Sequence, residues 1–226
     1  MPELYHTYPA IQGKAEPCYG GCQTNMSKKS LQRCGCGLVC ALDLLLYLHR
    51  HHAGCSLPFL AEAAVQEPVP ADCYEQKIAL IRRRWLPIVY PLGTSGVALA
   101  WGLNRVFRKY RLPLRAHWGV AWDKLFETAA DMLRRDIPVI LAVGQNFPRF
   151  WRKDKLKLYR RTQEGEYRFA NATHAHFVNL TGIEEEWLQV SSWGKCYYIN
   201  REEYRQYANR HSLRWLCNIL SIQEVN

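Results

Sequence analysis

Apolar and polar positions follow two different periods along the chain. Over 36–52, 57–66, 73–84, 95–110 and 122–135 the apolar residues recur at helical spacing, which predicts a series of helices. The 36–52 stretch is apolar nearly all round, the pattern of a helix buried on every side. Pro87, Pro91 and Gly93 interrupt the helical texture in between. From Pro138 onward the chain changes to short β-rich runs at 138–143, 155–161, 166–170, 175–183, 187–192, 196–199 and 214–222, with one short helix over 201–208. Helices first and strands afterwards predict an α+β fold with an antiparallel sheet, not alternating βαβ units. The expected organisation is a single domain, 1–226, with a helical lobe over about 1–135 and a sheet lobe over about 136–226. A cleft between two unlike lobes is the natural place for a site.

Composition narrows the picture. With 226 residues and 48% of them apolar, the chain can bury a substantial core. The longest apolar run, Leu38 to Leu48, is broken by Asp43 and falls short of the roughly 20 residues a membrane-spanning helix needs. No membrane span is expected. The N-terminal MPELYHTYPAIQGK lacks the basic start and apolar stretch of a signal peptide, so a cytoplasmic location is expected. Nine cysteines, an odd number, favour free thiols over a fully paired disulfide framework. The formal charge of +10 gathers in Arg82-Arg83-Arg84, Arg105 to Arg115 and Arg149 to Arg161, which favours acidic ligands. Aromatics interleave with charge in Arg149-Phe150-Trp151-Arg152-Lys153, as in some nucleic-acid grooves, but no nucleic-acid recognition motif accompanies them.

Candidate chemistry begins at Arg33-Cys34-Gly35-Cys36-Gly37, where a cysteine between glycines directly precedes the buried helix. Unpaired N–H groups and the positive end of the helix dipole favour a thiolate at such a position. Cys36 adjoins the first turn and is the expected nucleophile; Cys34 belongs to the approach loop, and Cys40 falls one turn into the core. Gly37 leaves room beside it for a substrate carbonyl. A histidine that could serve as base opens an apolar strand in His176-Phe177-Val178-Asn179-Leu180-Thr181-Gly182. His174 points to the same side two residues earlier, but its spacing to the glycine differs.

In these segments the chain resembles the papain-like cysteine peptidases, whose base opens a strand of the form H-x-V-x-x-x-G. A second match is Leu188-Gln189-Val190-Ser191-Ser192-Trp193-Gly194, which resembles the N-S-W-G strand of that superfamily, with Ser191 at the asparagine that orients the base. Trp193 then shields the base from water. The superfamily also carries a glutamine upstream of the cysteine that helps bind the oxyanion. Gln23, after Tyr19-Gly20-Gly21-Cys22, has a spacing similar to that of bacterial relatives of the bacteriocin-processing peptidases; Gln32 is the other candidate. The resemblance covers about 19–48 and 174–199. It implies a Cys36–His176 hydrolase of peptide or other amide bonds, with a peptide or protein substrate, an acidic one suiting the basic segments, and no cofactor. The same acyl-enzyme chemistry serves glutamine deamidation and transglutaminase-like acyl transfer.

Two other functions fit the same composition. Cys18, Cys22, Cys34 and Cys36 are enough thiols for a tetrahedral zinc, though not at the usual C-x-x-C spacing. The basic segments are compatible with a protein that only binds nucleic acid or peptide. Two further features have structural explanations: His49-Arg50-His51-His52 suits the end of a helix, and Asp43, inside the buried helix, needs an arginine or backbone N–H partner.

Overall fold

The computed structural model describes residues 1–225. Short strands β1 (Ala10–Ile11) and β2 (Cys18–Tyr19) pair with each other near the N-terminus. The helices α1 (Lys29–Cys34), α2 (Cys36–His51), α3 (Ala61–Ala64), α4 (Ala71–Arg84), α5 (Gly96–Lys109) and α6 (Leu125–Arg134) fill most of the first lobe. β3 (Leu114–Trp118) lies between α5 and α6. Then follow β4 (Val139–Val143), β5 (Leu156–Arg161), β6 (Tyr167–Thr173), β7 (His176–Glu184), β8 (Trp187–Ser192), β9 (Lys195–Asn200), α7 (Arg201–His211) and β10 (Ile219–Glu224). The architecture is α+β: the eight-stranded sheet has the order β3-β10-β4-β7-β8-β9-β5-β6, and its pairings are antiparallel.

α2 forms the centre of the molecule. Every residue from Gly37 to Leu48 is buried, in agreement with its all-round apolar pattern. Each fully buried leucine there contributes about 1.5–3 kcal/mol by leaving water. The helix packs on β7 and β4 on one side and on α3, α4 and α5 on the others, so its N-terminus is fixed against the start of β7. At its far end Arg50 reaches the carbonyls of Ala63, Ala64 and Gln66 and pairs with Glu67, which ties α3 to α2.

The structure departs from the apolar pattern at three places. β3 belongs to the sheet although the first lobe was expected to be helical, because Leu114–Glu224 pairing extends the sheet past β10. The last strand starts at Ile219 and not near 214, since Leu216 and Cys217 donate back to the Leu213 carbonyl and close a turn. Cys34 ends a short helix and does not lie in a loop; its Sγ points to the Pro91 carbonyl at 3.2 Å.

Candidate active site

Gly35 stands between α1 and α2 and has no side chain with which to cap the first turn, so the leading N–H groups of α2 stay free of a side-chain cap. Cys36 is the first residue of that turn and is half-buried. Burial pushes its thiol pKa up, while the amides of Phe177, Gly37 and Cys36 itself pull it down. The thiol therefore faces donors from two elements, the start of α2 and the start of β7. Gly37 does not open space for substrate: a Cβ there would lie 2.4 Å from Thr94 Cγ2, so the loop before α5 occupies that side.

His176 is the first residue of β7, paired with Val143 of β4 and buried. Ala175, just before it, has φ +48° and donates to the Gly144 carbonyl, so the chain turns sharply into the strand. The imidazole stacks on Trp193 at 4.5 Å between ring centroids and 15° between planes. Trp193 and Gly194, with φ of +48° and +73°, form the two-residue turn between Ser192 and Lys195, and this left-handed turn lays the indole over the histidine. Burial lowers the His176 pKa to about 4. No hydrogen bond joins Cys36 to His176 among the described residues, although both line one cavity.

The hydroxyl that meets the His176 imidazole belongs to Ser192, not to Ser191. Ser192 Oγ lies 2.8 Å from His176 Nε2, whereas Ser191 Oγ donates to the Tyr19 carbonyl at 2.7 Å. The register explains this. Asn179 of β7 faces Ser191 of β8, so Ser191 shares a face with Asn179, and Ser192 falls on the face of Val178 and His176.

Gln23 opens a single 3-10 turn, is buried, and lines the cavity with Cys36 and His176; its Nε2 donates to the Gln32 carbonyl at 2.9 Å. Gln32 lies outside the cavity, its amide spent on the Met26 carbonyl. His174 is half-buried away from this cavity, its pKa lowered by burial and then by Lys155 and Lys153. The space between the lining residues is about 10 Å³, close to that of one water.

Part of the cavity wall is a polar cluster that periodicity does not reveal, formed by Gly21, Asp43, Asn179 and Ser191. Asp43 accepts from Tyr74 Oη at 2.6 Å, Gly21 N at 2.9 Å and Tyr8 Oη at 3.3 Å. Its partners are thus two phenols and one backbone N–H, not an arginine. Burial pushes its carboxyl pKa up to about 6 despite these donors. Asn179 donates to Tyr8 Oη and to the Cys40 carbonyl. Gly20, at φ +75°, threads between Ser191 and Asp43: a Cβ there would lie 2.5 Å from Ser191 Oγ and 2.7 Å from Asp43 Oδ2. Ser191 and Asp43 therefore hold the segment that leads to Gln23. The signal for this was present in Asn179, a polar residue within an apolar strand, and in the paired glycines at 20 and 21.

The four thiols considered for zinc separate: Cys18 and Cys22 lie beside Gly194, Cys34 faces Pro91, and Cys36 lines the cavity. Among the described residues, no group of three or more His, Cys, Asp or Glu is placed to hold a metal ion, and all nine cysteines are unbridged. No helix of the described residues is long and apolar enough to cross a membrane.

No family model matches the chain, and no curated protein or solved structure matches it.

Proposed function

We propose that this protein is a papain-like cysteine hydrolase of peptide or other amide bonds, with Cys36 as nucleophile and His176 as base. The observation that carries this reading is the meeting of a helix-initial cysteine, a strand-initial histidine stacked on tryptophan, and a buried glutamine around one small cavity. When Nε2–H of His176 donates to Ser192 Oγ, the Nδ1 lone pair is left to take a proton. In the proposed reaction Cys36 Sγ attacks the carbonyl carbon as its proton passes to His176. The oxyanion is met by the first amides of α2 and by the Gln23 side chain. His176 then protonates the departing amine, and water, deprotonated by the same imidazole, releases the acid and restores the thiol.

A larger groove of about 480 Å³ shares Trp193 with the cavity and is rimmed by Lys14 and Lys195, opposed by Glu16. Its balance of charge suits an acidic side chain of the substrate.

Competitive alkylation with iodoacetamide, read by mass spectrometry, tests the pair. Cys18 and Cys196 are half-buried like Cys36 and serve as internal references. At neutral pH Cys36 is expected to react at least tenfold faster than both, and His176→Ala is expected to remove that advantage. Equal rates at the three thiols in the wild type would sink the proposal.

A further inference from the structure

A part of the surface outside the site has a composition that the proposed chemistry does not use. The β4–β5 connection, 144–155, is fastened at its base and free at its tip. Buried Asn146 donates to the carbonyls of Arg152 and Asp154, and Phe147 N donates to the His211 carbonyl. Beyond these ties Phe147, Phe150 and Trp151 stand in solvent, Trp151 at 77% exposure, with the Phe150 ring edge-on to Phe147 at 5.4 Å. Exposed Arg149, Arg152, Lys153 and Lys155 flank them along the loop, and Asp154 is the loop's single acid, paired with Arg152 and beside His211. The end of α7 and the turn after it add exposed Arg210, Leu213, Arg214 and Trp215, and the turn is tied to the same loop by Ser212 Oγ donating to the Gln145 carbonyl.

Large aromatic side chains in solvent forgo the burial that would stabilise them elsewhere in the fold. Rings at a loop tip, interleaved with exposed cations, match the region of an anionic bilayer where headgroups give way to acyl chains: the rings enter the interface and the cations meet the phosphates. A single-stranded nucleic acid asks for something else, a basic groove with rings laid along its floor. Here the rings project from a tip.

We infer that the 147–153 tip, with the 213–215 turn beside it, is a docking surface for an anionic lipid bilayer. The inference does not depend on the proposed hydrolase activity.

Sedimentation of the full chain with phosphatidylcholine vesicles, with and without phosphatidylserine, tests it. The protein is expected to sediment with the phosphatidylserine vesicles only, and less as salt is added. The exposed pair Phe150→Ser/Trp151→Ser and, separately, Arg149→Glu/Lys153→Glu are each expected to lower the bound fraction about tenfold or more, as each cation near such a surface and each ring inserted into it carries a comparable share. Circular dichroism controls for folding of these surface variants. No binding to phosphatidylserine vesicles, binding unchanged in both variants, or displacement from vesicles by a single-stranded oligonucleotide with tighter binding to it would each overturn the inference, the last in favour of nucleic acid.

Discussion

His176 is where a sequence pattern and a physical environment meet in one side chain. An imidazole that stays neutral to about pH 4 remains available as a base across the whole neutral range, and the same burial has a measurable consequence for stability. The unfolded chain takes up this proton near the ordinary value of about 6.5. The folded chain resists it until about pH 4. The cost is therefore absent above about pH 6.5, accumulates as pH falls, and is complete below about pH 4, where it reaches about 3 kcal/mol. Asp43 works in the opposite sense: its raised pKa adds stability at low pH that is lost as pH rises through about 6, so the two contributions mask each other in the wild type. The difference between wild type and His176→Gln removes the shared Asp43 contribution. In urea unfolding at a series of pH values, the variant is expected to gain about 3 kcal/mol relative to wild type between pH 7 and pH 4. A constant difference across that range would mean that His176 is not held neutral by burial.

Among the elements, those with a strong period were the legible ones. α2, α4, α5 and α6 and the strands β4 to β9 fall within a few residues of where the spacing predicts them; the helices and β4, β7 and β8 bury a face or more, whereas the edge strand β6 buries only Thr173. β3 was not visible: Leu114-Arg115-Ala116-His117-Trp118 has one buried residue, and its pairing with β10 is supplied by a partner a hundred residues away. α1 is too short to show a period. The site followed the same division. Cys36, His176, Gln23 and Trp193 are marked by local context, whereas the choice of Ser192 over Ser191 depends on the β7–β8 register, which no local motif encodes. The Gly20–Gly21 segment provides a test at this scale. Gly20→Ala sets a Cβ against Ser191 and Asp43 at a positive φ, so it is expected to cost about 1–3 kcal/mol in denaturant unfolding. The alkylation advantage of Cys36 is expected to survive in the folded fraction, since the segment leads to Gln23 and not to the thiol. A Gly20→Ala protein as stable as wild type would show that the segment is not clamped.

At the scale of the whole molecule, the helices and the large sheet are joined by more than the contact of α2 with β7 and β4. The first eight residues run along β7: Leu4 N donates to the Thr181 carbonyl, Ile183 N donates to the Pro2 carbonyl, and Tyr5 N donates to Asp136 at 2.6 Å. The segment ends at Tyr8, which is buried and whose hydroxyl bridges Asn179 of the sheet and Asp43 of the central helix. The β7 bulge between Leu180 and Gly182 lies where this segment passes, so the irregularity that helps set the site register is covered by the N-terminal residues. Deleting residues 1–8 removes an aromatic side chain from the core and leaves Asn179 and Asp43 each short of a partner, two effects expected to cost together about 3–5 kcal/mol. Hydrogen exchange adds a local readout. The Ile183 amide is expected to lose its protection in the shortened protein, and Tyr8→Phe, which keeps the ring and the segment, is expected to leave that amide protected while costing only about 1–2 kcal/mol. If the deletion were neutral in both measurements, the strap would contribute nothing to holding the helical and sheet lobes together, and α2 alone would set the position of the Cys36 end of the site.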